Sequence, residues 1–310
     1  MAKKSTKKPT KKVITTAKSD TLTPAPVNVV RPVLPSVWSI TKTVARMLWL
    51  HKKVFLSLAL IYGVLNLVLV RGFTGGLNVS DLKGQLDQAF SGHLAALATS
   101  ATVFASLVST SGNTSNSTGG AYQTFLLLIM SLAVIWALRM TLAGEAFRLR
   151  DSFYKGMYPL VPFLLVFVVI GLQLLPLVIG AGIYSLVVSS GIAVNAFQQI
   201  LWGIGCAALV ALSLYWLTAS LFALYIVTLP NMTPRKALRS ARELIRGRRL
   251  SVLRKLLFLP LALFLAAIVI MLPVILLAAP LAQWLFFLLT MCSLVVVHAY
   301  MYTVYRELLA

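Results

Sequence analysis

Apolar residues run through six stretches of this chain with almost no charge among them, at about 54–70, 123–143, 159–188, 199–229, 256–277 and 281–305. Several exceed the roughly 20 residues a helix needs to cross about 30 Å of hydrocarbon. They do not alternate polar and apolar positions over ten residues, so an outer-membrane barrel is a poor fit. The pattern predicts an all-α, polytopic membrane bundle of six spans.

Two stretches between the runs have the period of amphipathic helices. In 39–53, Ile40, Val44, Met47 and Leu48 fall on one stripe, with Lys42, Arg46 and Lys53 elsewhere. This predicts a helix lying at the membrane interface and leading directly into the first span. In 233–247, Ala237, Leu238, Ala241, Leu244 and Ile245 form one stripe, and Arg235, Arg239, Arg242 and Arg246 form another. Thr233 suits the N-cap, Pro234 the first helical position and Gly247 the residue past the end, so caps and stripes agree on one helix.

Residues 1–36 carry Lys, Thr, Ser and five prolines, and cannot bury enough apolar surface to offset ordering; a disordered tail is expected there. About 50 residues precede the first apolar run with no cleavage pattern, so no cleavable signal is expected. Residues 71–121 form a long segment between the first two spans, with a helix-like spacing of Leu82, Leu86, Phe90, Leu94 and Leu97. The membrane domain is then 37–310. Trp202, Trp284, Tyr302 and Tyr305, near span ends, suit interface anchors.

Charge orients this picture. The chain carries +21, and threading six spans puts 26 of the 28 Lys and Arg residues on one side. Twelve precede the first span, four lie between Arg139 and Lys155, nine lie in 235–255, and the last is Arg306. Short loops rich in Lys and Arg resist translocation. The basic side, with both termini, is therefore expected in the cytoplasm and 71–121 outside it, in a bacterial inner membrane. With 59% hydrophobic residues and only 11% charged, an ordinary soluble domain is excluded.

Chemistry is sparse. Every carboxylate (Asp20, Asp81, Asp87, Glu145, Asp151, Glu243, Glu307) lies in a loop or at a span end, which argues against proton-coupled transport. Paired carboxylates, a zinc motif, a P-loop and a nucleophile elbow are missing, so no catalytic or metal residue is named and no cofactor is expected. Cys206 and Cys292 lie in apolar runs and read as packing residues. The intramembrane polar candidates are Asn66, Arg139, Gln173, Gln283 and His298. Arg139 would cost about 2.5–3.5 kcal/mol at a helix centre, but it sits near the cytoplasmic end, where snorkelling, a salt bridge to Glu145 or a hydrated cavity would each accommodate it. A packed, hydrogen-bonded histidine is the simpler account of His298, and helix-to-helix hydrogen bonds that of the amides.

Lipid or phosphate binding is expected from Arg235, Arg239, Arg242, Arg246, Arg248 and Arg249, because guanidinium forks bidentately onto phosphate oxygens. Topology and anionic-lipid anchoring is the simpler account of that face; a specific phosphate-bearing ligand or partner is the other. The Lys-rich tail would engage a polyanion, whether the leaflet, RNA or the ribosome. The overall expectation is a non-enzymatic membrane protein. The alternative is a transporter, flippase or insertase-like protein with a groove between spans kinked at Pro162, Pro176, Pro260 and Pro273.

A weak repeat runs through the chain: each odd-numbered span follows a basic, partly amphipathic stretch, and Lys155-Gly156 and Arg246-Gly247 recur at the ends of two of them. RDSFYKGMYPLVPFLL at 150–165 and MTPRKALRSARELIRGRRLSVLRKLL at 232–257 each lead into a proline-containing span. In these features the chain resembles the six-span bacterial proteins grouped with the membrane domain of glycerophosphoryl diester phosphodiesterases and YciC-type proteins, over about 38–305. The resemblance implies an accessory membrane domain or a free-standing one without assigned activity. It carries no phosphodiesterase activity, because only the membrane part is present.

Overall fold

A computed structural model describes residues 35–70, 117–193, 195–277 and 279–309. The expected disordered tail and the 71–121 segment fall almost wholly outside these residues. The described chain is all-α and holds nine helices: α1 (Val37–Leu50), α2 (Lys52–Leu69), α3 (Ser117–Ala143), α4 (Leu149–Gly156), α5 (Leu160–Ser189), α6 (Ala196–Ile226), α7 (Pro234–Leu244), α8 (Arg249–Leu277) and α9 (Ala279–Leu309). Six of them, α2, α3, α5, α6, α8 and α9, are long and apolar enough to cross a membrane.

The order is short, long, long, three times over. Each short helix packs on the last long helix of the preceding unit: α4 on α3, α7 on α6 and, closing the cycle, α1 on α9. The first long helix of each unit lies between two of those last helices, α2 between α9 and α3, α5 between α3 and α6, α8 between α6 and α9. So α3, α6 and α9 form an inner set, and α2, α5 and α8 an outer one. The faint sequence repeat is thus a repeat of packing.

Burial follows that division only in part, because α6 is buried in its C-terminal half alone and its N-terminal half shows Phe197, Ile200, Trp202 and Ile204 to the surroundings. On α3, Met130, Leu132, Ala133, Val134 and Ile135 are all buried, so the helix is enclosed on every side there. On α2, only the stripe Phe55, Leu58, Ala59, Tyr62, Gly63 and Asn66 is buried. Its other face shows Leu56, Leu60 and Val64 to the surroundings, as do Leu165, Val168 and Leu172 on α5. A contiguous apolar exterior of that size suits hydrocarbon as solvent rather than water. The C-terminal ends of α6 and α9 are buried almost throughout, over Thr218–Ile226 and His298–Tyr305.

Three expectations change in detail. The stripe Ile40, Val44 and Met47 is buried against the protein through α9, so α1 is a docked helix whose outer face carries Trp38 and Trp49. The fifth long helix begins at Arg249, not near 256, because its leading charges find partners: the Arg249 guanidinium lies 4.5 Å from the Tyr215 ring centroid, and Lys255 Nζ donates to the Pro35 carbonyl. Tyr302 and Tyr305 are buried rather than at an interface, packed on Tyr225 with centroids 6.1 and 6.2 Å away. Trp202 and Trp284 are exposed, as anchors require.

Candidate functional site

The basic face is built from the short helices and the ends of the inner ones. α7 is its most regular part. Thr233 Oγ1 accepts from Lys236 N at 3.4 Å, Pro234 occupies the first turn, and Gly247 past the end takes φ +83°. Ala237, Ala241 and Ile245 are fully buried, and α7 packs on α6 and α5. The two alanines seat the helix close, and the helical period then turns Arg235, Arg239, Arg242 and Arg246 outward, where all are exposed. Arg239 makes an exposed ion pair with Glu243 at 3.7 Å, worth a few tenths of a kcal/mol, about the usual for such pairs. Arg248 is half-buried, and Arg249 is held on Tyr215, so these two stand apart from the outward row.

Arg139 is the other organised cation. It leaves α3 one turn before its end, where Gly144 at φ +73° and the bonds Glu145 N to Met140 O and Gly144 N to Thr141 O close the helix. The guanidinium reaches across to the chain just past α6: Nη1 donates to Thr228 O at 3.1 Å and Nη2 to Thr228 Oγ1 at 2.7 Å. Thr228 Oγ1 in turn donates to Tyr225 O at 2.7 Å, which orients its lone pairs toward the arginine. Arg139 lines a cleft of about 900 Å³ with Trp136, Tyr154, Lys155, Thr228 and Asn231. Arg139 thus lines the cleft and ties α3 to the chain just past α6.

α4 forms the opposite wall. It lies against α3 through Ser152 and Gly156, and a Cβ on Gly156 would sit 3.3 Å from Leu132 O and from Trp136 Cβ. Glycine is what lets the helix approach, and its neighbour Lys155 is exposed at the cleft. Arg150 lies 5.1 Å from the ring centroid of the cleft residue Tyr154.

Of the remaining polar candidates, His298 joins helices through its side chain, whereas the buried side-chain atoms Asn66 Nδ2 and Gln173 Oε1 have no partner among the described residues. His298 Nδ1 meets Tyr225 Oη at 3.0 Å and His298 Nε2 meets Ser131 Oγ at 2.9 Å, so one imidazole links α9, α6 and α3. Gln173 acts through its backbone: Ser213 Oγ donates to Gln173 O at 2.9 Å and accepts from Leu177 N at 3.1 Å. That hydroxyl from α6 is inserted into the rung of α5 beside Pro176, where the ring opens the ladder. Asn66 is buried on α2. Gln283 lies on α9, with its side chain outside the described residues.

Sequence reasoning missed Thr228, Ser213, Ser131 and Tyr225. Ordinary Ser, Thr and Tyr residues in apolar runs give no signal of their partners. Lys155-Gly156 was visible as a pair, but not that the glycine seats a helix and the lysine lines a cleft. No family model matches the chain, and neither a curated protein nor a solved structure is similar to it.

Proposed function

We propose that this chain is a non-catalytic, multi-pass membrane protein whose basic face binds anionic lipid. The observation that carries the reading is α7: its apolar stripe is consumed by protein packing, so Arg235, Arg239, Arg242 and Arg246 are left outward on a helix that cannot roll. Each basic residue near an anionic leaflet contributes about 1 kcal/mol, and the row is held in one plane. Lys-on-Trp and Arg-on-Tyr contacts on the other short helices, Lys42 on Trp38 and Arg150 on Tyr154, suit the headgroup region as well. The basic face would be cytoplasmic, with both termini, in a bacterial inner membrane. The Lys-rich tail would extend the same polyanion binding, toward the leaflet or toward RNA or the ribosome.

A transporter, flippase or insertase reading needs a path between kinked spans. Against it, His298, Tyr225, Tyr302 and Tyr305 fill the space among the inner helices, and Ser213 closes the opening at Pro176.

The test is thermal unfolding of the purified protein in zwitterionic detergent with added phosphatidylglycerol or phosphatidylcholine, at low and high salt. Phosphatidylglycerol should stabilise more, the difference should shrink with salt, and R235Q/R239Q/R242Q should reduce it. Equal stabilisation by both lipids refutes the proposal.

A further inference from the structure

The cleft at Arg139 differs from the arginine row on α7 in being concave and in having its main cation fixed. An arginine carries five N–H donors, and the two bonds to Thr228 engage two of them, so three remain on a guanidinium that is already oriented. Thr228 is held in its turn by Tyr225. Lys155 stands on the α4 wall, and Arg150, stacked on Tyr154, adds a third cation beside the lining. The lining includes no carboxylate among the described residues. The rest of the wall combines the polar Asn231 with apolar and aromatic residues, among them Leu132, Trp136 and Pro162.

We infer that this cleft is a discrete binding site for a phosphate ester. Two lining cations, Arg139 and Lys155, with no carboxylate in the lining match a group that can carry more than one negative charge. The fixed fork of Arg139 suits two oxygens on one phosphorus better than a point charge would. The apolar wall leads the rest of the ligand toward the membrane-facing ends of α3 and α5, as it would for a lipid with a terminal phosphate. A soluble phosphoester shares the recognising chemistry but would leave that wall unused. This deepens the lipid-binding reading, since it gives one lipid a defined seat apart from the diffuse charge of α7.

Native mass spectrometry of the full chain in detergent separates the two. Titration with phosphatidic acid should show one lipid retained more tightly than the rest, and K155Q, at an exposed position that leaves packing intact, should weaken that one about fivefold. R139Q should weaken it about tenfold or more, with retained fold checked by circular dichroism. R235Q/R239Q/R242Q should strip the weaker lipids and spare the tight one. Glycerol 3-phosphate or inorganic phosphate displacing it, with phosphatidic acid no better, assigns the same site to a soluble phosphoester. A tight lipid unaffected by K155Q and R139Q overturns the cleft site while leaving the α7 reading intact. No preference for any anionic lipid over phosphatidylcholine overturns both.

Discussion

Ser213 in the Pro176 kink gives a sharp energetic test, because its two bonds exist only if the kink does. Ser213 is fully buried, and its hydroxyl satisfies both Leu177 N–H and Gln173 C=O of the neighbouring helix. Ser213→Ala leaves those two groups to find each other across a rung opened by the proline ring. One unsatisfied buried polar group costs about 1–3 kcal/mol, while hydrogen bonds between membrane helices average nearer 0.6 kcal/mol because the disrupted state finds partners too. Partial reclosure of the rung places the expected loss at about 1–2 kcal/mol. Pro176→Ala restores an N–H and removes the ring, so the ladder can close on itself. In that background Ser213→Ala should cost under ~0.5 kcal/mol, a coupling of about 1 kcal/mol. Unfolding in mixed micelles of a mild detergent and SDS, followed by circular dichroism, measures the four corners of the cycle. Equal costs for Ser213→Ala in both backgrounds would refute the inserted-hydroxyl argument.

Tyr225→Phe removes a partner of His298 and should lower stability by about 0.6–1.7 kcal/mol in the same assay; an unchanged midpoint contradicts the three-helix link. Gly156→Val should cost about 1–3 kcal/mol, because the atom it meets is the Leu132 backbone oxygen and cannot step aside, whereas Gly171→Ala, with open space around it, should be neutral or slightly stabilising. Thr233→Ala should cost about 1 kcal/mol locally and speed amide exchange in the first turn of α7 with little change elsewhere. In a cysteine-free background, cysteine at Glu145 should react with membrane-impermeant thiol reagents only from the cytoplasmic side and cysteine at Gly191 only from the other; the reverse pattern would invert the topology.

Hydropathy made the six long helices legible, since a run of apolar residues has one reading in a membrane. α7 was equally legible, because Thr233, Pro234, Gly247 and two stripes at one period all make the same demand. What faces what was not. Arg139 and Thr228 are 89 residues apart, and Ser213 and Leu177 are 36 apart, with nothing in either sequence neighbourhood naming the other. Tyr302 and Tyr305 misled for a related reason: an aromatic ring near a span end suits both a headgroup belt and a crowded junction of helices. Periodicity marked the apolar stripe of α1 but not what covers it, since the spacing is the same whether lipid or α9 does so.

The cyclic packing has a consequence for how the chain is made. Elements of the second and third units meet surfaces already synthesised, α4 and α5 on α3, α7 and α8 on α6. The first unit cannot do this. α1 and one side of α2 bury themselves on α9, the last of the described helices in chain order, so Ile40, Val44 and Met47 must wait uncovered until α9 enters the membrane. α9 is therefore the keystone of the assembly. A chain truncated before it would insert most of its spans, yet leave its beginning open to chaperones, proteases or the wrong neighbour.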